Sequence, residues 1–170
     1  MIENQISEGG PQTQNLPTNS ISYLSESALG AGLTADELNA LANKIELRKL
    51  SKNEVLISEG AEDSHLYAVA QGELGISRED HRGGVNFGTL KAGMIFGELA
   101  FLVGLKRTAT VKAETDDACV IALRREQLES MLSEHPQVVY KVMCSIVRSA
   151  YRTVNNMDGA YSDLIHYVHS

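Results

Sequence analysis

A mainly β domain with flanking helices is the fold class this sequence predicts, and its hydrophobic patterning carries the prediction. Between residues 45 and 123, short segments rich in Val, Ile, Leu and Thr follow one another closely, many of them alternating in polarity. Turn signals separate them: S-K-N, S-E-G-A-E-D-S, Q-G, E-D-H-R-G-G, K-A-G and E-T-D-D. On both sides of this block the apolar period is that of an amphipathic helix. Short strands punctuated in this way argue for a β-sandwich or barrel.

Taken in order, residues 1–20 are rich in Gly, Pro, Asn, Gln, Ser and Thr, with few large apolar side chains. Such a segment buries too little surface to offset its ordering entropy, which predicts a disordered tail over 1–20 and a folded domain over 21–170. From Thr34, T-A-D-E-L-N-A-L-A-N-K-I combines an N-cap, early acids and apolar Leu38, Leu41 and Ile45, and so predicts a helix. Strands are expected around 45–50, 53–58, 65–71, 73–78, 85–90, 107–114 and 117–123.

After Leu123 the pattern turns helical again. R-R-E-Q-L-E-S-M-L-S-E-H makes one short amphipathic helix, and Pro136 suits the first turn of a longer one. In the longer helix Val139, Met143, Ile146, Ala150, Thr153 and Met157 recur in alternating steps of four and three. Gly159 is expected to end or bend it. That apolar row suits either its own β domain or a partner helix, so an effector protein or a homodimer is expected to meet residues 137–157.

Bulk properties narrow the function. The chain has 170 residues, 43% of them hydrophobic and 22% charged, enough for one domain with a core of its own. Its formal charge is −7, and its densest basic pairs are Lys106-Arg107 and Arg124-Arg125. Nucleic-acid binding is therefore not expected, because that affinity comes from a basic stripe releasing phosphate counterions. The N-terminal residues lack the basic and apolar regions of a secretory signal, and no apolar run reaches the ~20 residues that span a membrane. A cytoplasmic protein without membrane contact is expected. Cys119 and Cys144 read as reduced core thiols.

The informative stretch is residues 93–113, G-M-I-F-G-E-L-A-F-L-V-G-L-K-R-T-A-T-V-K-A. Gly97 precedes an apolar segment, Glu98 to Val103, too brief for a core helix. A short helical turn leaves its first N–H groups pointing outward, ready for an anion. Gly97 lets a ligand approach the backbone closely. Arg107 follows at the opening of a predicted strand, and its guanidinium can pair with phosphate oxygens through two hydrogen bonds. Glu98 has no adjacent base or nucleophile, and is suited to gripping sugar hydroxyls.

This stretch resembles the phosphate-binding cassette of cyclic-nucleotide-binding domains, such as those of cAMP- and cGMP-dependent kinase regulatory regions and the catabolite activator protein. F-G-E-L-A, a six-residue link and R-T-A-T-V match in residue type and spacing. The resemblance covers about residues 34–156, including turn glycines such as Gly60 and Gly72. It implies an eight-stranded, jelly-roll-like β-roll, interrupted by the short cassette helix and followed by two C-terminal helices. It also implies that Glu98 accepts from a ribose 2′-hydroxyl and that Arg107 neutralises a cyclic phosphate. Backbone N–H groups at Leu99, Ala100 and Thr108, with Ala109 beside them, would complete the phosphate cradle, and Gly97 would give access to the ribose. Relatives cap the purine from the last helix, which makes Arg148 and Tyr151 candidate base contacts, with Arg152 and Tyr161 behind them; Phe87, in the expected strand 85–90, is a further candidate. Thr108 suits a syn guanine, whereas Gly88 stands where some cGMP sites place an arginine. The generality of cAMP among bacterial relatives puts cAMP slightly ahead of cGMP.

Other chemistry has weaker support. His166 and His169 are three residues apart but lack a third ligand, so no metal is expected. A cupin-like barrel would need a histidine cluster that His65, His81 and His135 do not make. No Ser-His-Asp or Cys-His arrangement stands out, and a hydrolase would leave Arg107 unexplained. The expected function is thus a signal-transduction sensor that binds a cyclic nucleotide, relays occupancy through its C-terminal helices, and is neither an enzyme nor dependent on a cofactor. The alternatives are a nucleotide-responsive transcription regulator without its DNA-binding module, and a scaffold that has lost nucleotide binding.

Overall fold

Residues 17–80 and 83–168 are described by the structure, a computed structural model. Helix α1 (Pro17–Glu26), a 3-10 turn (Ala28–Gly30) and helix α2 (Ala35–Ala42) precede the strands β1 (Ile45–Leu50), β2 (Val55–Ile57), β3 (His65–Gln71), β4 (Glu73–Asp80), β5 (Gly83–Lys91) and β6 (Ile95–Phe96). Helix α3 (Glu98–Val103) then interrupts the roll before β7 (Thr110–Ala113) and β8 (Ala118–Arg124), and α4 (Arg125–Glu129) and α5 (Pro136–Val168) follow. Two antiparallel four-stranded sheets result, in the orders β1-β8-β3-β6 and β2-β7-β4-β5.

The period of two along β3 and β8 explains how both faces of the first sheet are used. Leu66, Ala68, Ile121 and Leu123 point to a core shared with Leu24, Leu29 and Leu41 and with Val142 and Ile146 of α5. Tyr67, Val69, Val120 and Ala122 point the other way, into the space between the sheets, where Leu74, Leu90 and Val111 meet them. The helices therefore pack on one sheet, and the second sheet closes its opposite face.

Several boundaries differ from the sequence expectation. Helix α1 begins at Pro17, so residues 17–20 leave the expected tail for a helix. Proline suits a first turn, and burial of Leu24 supplies the packing energy that composition does not show. Residues 1–16 lie outside the described residues. The expected strand 107–114 shrinks to Thr110–Ala113, so Arg107 stands ahead of β7 instead of opening it. Its backbone pairs with the loop after β2: Gly60 N–H donates to the Arg107 carbonyl at 2.7 Å, and Arg107 N–H to the Ala61 carbonyl at 2.9 Å. The eighth strand, β6, has two residues, too few to show a pattern.

Helix α2 starts as expected. Thr34 Oγ1 accepts from Glu37 N–H, and Glu37 Oε2 accepts from Thr34 N–H at 2.7 Å, a reciprocal cap. Glu37 also receives Lys141 Nζ at 2.6 Å, which fastens α5 to α2. On α5, Val138, Val139, Val142 and Ile146 are buried and Met143 packs at their edge, so the apolar row foreseen along this helix covers its own roll. Tyr140, Val147 and Tyr151 are exposed on another face. The helix does not end at Gly159. Thr153 and Met157 lie outside the described side chains. Cys119 is buried and Cys144 half-buried, both unbridged. Among the described residues no helix is long and apolar enough to cross a membrane.

Candidate functional site

Helix α3 and the segment that carries Arg107 wall a cavity of about 630 Å³, closed on another side by α5. That volume suits a small organic ligand. Gly97, Glu98, Leu99, Ala100, Arg107, Thr108 and Ala109 all line it, and so does Arg148, one of the candidate base contacts. Phe87 and Tyr151 do not. They stand 55% and 67% exposed on β5 and α5, because the strand and helix positions they occupy face away from the opening. Arg152 lines the cavity too, whereas the side chains of Tyr161 and His166, together with His81 and His169, lie outside the described residues.

Arg107 is the most deeply held group. Its side chain is 3% exposed, and its Nη2 donates to Asp63 Oδ2 at 2.7 Å and to the His65 carbonyl at 2.6 Å. Nη1 donates to the Gly97 carbonyl at 3.2 Å, and the guanidinium carbon lies 5.5 Å from the centre of the Tyr67 ring. Buried Nε has no partner among the described residues. Gly97 takes φ +85°, the left-handed region that glycine enters freely. A Cβ at that position would also strike Arg107 Nη1, so both the backbone and the arginine demand glycine there.

Asp63 anchors a chain of polar contacts that the sequence did not reveal. Its Oδ1 meets His65 Nδ1, and its Oδ2 accepts from the Tyr67 hydroxyl at 3.1 Å as well as from Arg107. Burial alone would push the Asp63 carboxyl up. Hydrogen bonds from His65 and Arg107 outweigh it and hold the group well below the usual carboxylate range. Tyr67 is pushed up to about 12 by burial, reinforced by the Asp63 charge. His65 Nε2 accepts from Arg124 Nε at 3.2 Å and has Arg48 Nη2 at 3.2 Å. This His–Asp pair therefore faces guanidinium groups and the Tyr67 hydroxyl, and among the described residues no serine, threonine or cysteine is placed on it as a nucleophile. Among the described residues no group of His, Cys, Asp and Glu could hold a metal.

Glu98 opens α3, whose first intrahelical bond runs from Phe101 N–H to the Gly97 carbonyl. The N–H groups of Glu98, Leu99 and Ala100 thus precede the helical ladder. The far end of α3 is clasped by Arg125 of α4, which donates to the carbonyls of Phe101 at 2.5 Å and Ala100 at 2.8 Å. Glu98 does not pair with Arg107. Its Oε1 accepts instead from Ser149 Oγ of α5 at 2.9 Å. One turn earlier, Ser145 lines the same cavity, 4% exposed, with a buried hydroxyl that has no partner among the described residues. Neither serine was legible in the sequence, where both look like ordinary polar positions on a helix.

The site sits in a chain with clear relatives. The model of the cyclic nucleotide-binding domain family matches residues 47–135. Over 148 residues, 80% of this chain, the sequence is 28% identical to the cGMP-dependent protein kinase egl-4 of Caenorhabditis briggsae. Over 98 residues, 56% of this chain, it is 35% identical to the cAMP-dependent protein kinase regulatory subunit of Mycosarcoma maydis. The matched part is 19% of the length of each of these relatives. Among solved structures, a cyclic nucleotide-binding domain from Methylobacillus flagellatus superposes with a TM-score of 0.72 at 18% identity, over 82% of this chain and 79% of that one. The regulatory domain of Toxoplasma gondii PKA with cAMP gives 0.58 at 26% identity, over 70% of this chain and 45% of that one.

Proposed function

The chain belongs to the cyclic nucleotide-binding domain family, and from that premise we propose that it binds a cyclic purine nucleotide under α3 and relays occupancy through α5. One observation carries the reading: a buried guanidinium and a half-buried carboxylate, Arg107 and Glu98, line one cavity without pairing to each other. Arg107 meets the cyclic phosphate, supported by N–H groups of Leu99, Ala100 and Thr108, with Ala109 beside them. Glu98 meets the ribose 2′-hydroxyl, and the absence of a Cβ at Gly97 leaves the ribose room. Arg148 and Ser145, whose hydroxyl has no partner among the described residues, are assigned to the base end. The base is a purine, cAMP slightly ahead of cGMP; a cGMP-dependent kinase and a cAMP-dependent regulatory subunit both stand among the relatives.

The relay is supported by packing. Phe101 of α3 lies in one core with Met131, Val139, Val142 and Ile146, so a ligand that draws α3 inward alters what α5 rests on. Such a shift is limited to the ligand's differential affinity for the two arrangements. An effector or a second copy of the chain would meet the face of α5 left open at Tyr140, Val147 and Tyr151.

Calorimetry with cAMP, cGMP and cyclic dinucleotides tests the binding. Heat is expected with at least one cyclic mononucleotide and none with cyclic dinucleotides, and silence with both mononucleotides would refute the reading. Hydrogen exchange tests the relay: bound nucleotide should protect amides of 137–156 as well as those of 97–104. Protection confined to the cassette would leave a binder without this readout.

A further inference from the structure

We infer that Ser149 of α5 is a positioning residue for the ribose: its hydroxyl fixes the Glu98 carboxylate so that the remaining oxygen meets the ligand's 2′-hydroxyl. This rests on the reading of the cavity as a cyclic-nucleotide site, and adds to it the residue through which the sugar and α5 sense each other.

Val142, Ile146 and Ser149 recur at helical spacing on one face of α5, and the first two are fully buried against the roll. A hydroxyl at the end of that apolar stripe is costly unless it is hydrogen-bonded. Ser149 Oγ meets Glu98 Oε1 at 2.9 Å, with the Ile95 carbonyl farther off at 3.4 Å. Among the described residues, no other donor holds the Glu98 carboxylate. The side chain has several rotatable bonds, so without Ser149 it must be ordered when ligand arrives. An ionised carboxylate has about four acceptor positions, so accepting from Ser149 leaves room for a second hydroxyl. Residues 138–146 and the Lys141–Glu37 contact hold α5 on the body independently of this bond. The bond is therefore a reporter on the site more than a support of the fold.

The test uses Ser149→Ala and Ser149→Thr, with cAMP and cGMP each set against its 2′-deoxy analogue. Ser149→Ala should weaken the ribose ligand by about two- to tenfold, one hydrogen bond's worth, and leave the 2′-deoxy ligand at its wild-type affinity. Ser149→Thr, which keeps the hydroxyl, should restore the ribose ligand. In Ser149→Ala, ligand protection of amides 145–152 should fall while that of 97–104 persists. Equal losses on both ligands, or no rescue by threonine, would overturn the inference. Glu98→Gln separates the two levels. If it leaves ribose ligands untouched, the assignment of Glu98 to the sugar fails. If it weakens them while Ser149→Ala does not, only the positioning role fails.

Discussion

Arg107 and Glu98 stand on the wall of one cavity, yet they are held by different means. The arginine is locked inside the roll by Asp63, the His65 and Gly97 carbonyls and the Tyr67 ring, supplied by β3, the loop before it and the junction of β6 with α3. The glutamate is half exposed and rests on one hydroxyl from α5. A charge fixed by several partners is preorganised for an anion and needs little rearrangement when one binds. A carboxylate tied to a C-terminal helix makes its own geometry depend on where that helix lies. Under the proposed function, Arg107 is then the phosphate end, built for affinity, and Glu98 the helix end, built for coupling.

The largest effect should come from breaking the rigid end. Removing one partner of a buried, hydrogen-bonded charge pair costs about 2–5 kcal/mol. Arg107→Ala should accordingly weaken nucleotide binding by roughly 30- to 4,000-fold in calorimetry. Arg107→Lys should also bind poorly, because an ammonium lacks the planar fork. Binding within twofold of wild type in Arg107→Ala would erase the contrast between the two ends.

Next comes the helix end. Glu98→Gln should cost about 1.5–3 kcal/mol, the worth of a hydrogen bond to a charged group, and nearly all of it should vanish with a 2′-deoxy nucleotide. The cycle of protein and ligand changes isolates that coupling. Strict additivity of the two losses would remove Glu98 from the sugar.

Asp63→Asn probes what preorganises the rigid end, and its first readout is stability. A loss of roughly 1–3 kcal/mol at neutral pH is expected, since a buried guanidinium keeps its carbonyl partners and loses its anion. The Asp63 carboxyl titrates lower in the folded chain than in the unfolded one. Its stabilisation is therefore complete above the unfolded value, near 3.9, and is lost as the pH falls from there toward the folded value. Urea unfolding should show the advantage of wild type over Asp63→Asn as constant from about pH 7 to 5 and shrinking below about pH 4. An advantage that grows in acid would mean that Asp63 is not the anion partner of Arg107.

The smallest expected effect concerns Thr108, exposed at the cavity edge next to Arg107. Thr108→Ala should cost cAMP and cGMP alike, by roughly 0.5–1.5 kcal/mol, if its hydroxyl serves the phosphate. A loss confined to cGMP would place the hydroxyl on a guanine and reverse the preferred base.

Much of this was legible because it is local. Gly97, Glu98 and Arg107 fall within one short stretch of chain, so their spacing alone brings a carboxylate and a guanidinium to the same loop. Helix α2 was legible for the same reason, since a capping box is a contact between residues three apart. Helix α1 was not: its first residues, 17–20, read as the end of a polar tail, and its Leu24 is buried against residues far along the chain.

Resemblance to a family supplied the β-roll and its cassette, whereas the sequence by itself determined a block of short strands with helical flanks and the stretch that brings Gly97, Glu98 and Arg107 together. These follow from period, turn chemistry and near-neighbour spacing, which the chain carries wherever it folds. Only the tertiary structure decided what holds those side chains. Asp63 lies 44 residues from Arg107, and Ser149 lies 51 from Glu98. It also decided what the apolar row of α5 covers, which the sequence left open between its own roll and a partner helix. Val139, Met143 and Ile146 repeat with nearly the same helical spacing as Tyr140, Val147 and Tyr151, yet the first set is packed and the second exposed. Period tells that a helix has an apolar face, whereas the surface that covers it is set by long-range contacts between distant parts of the chain.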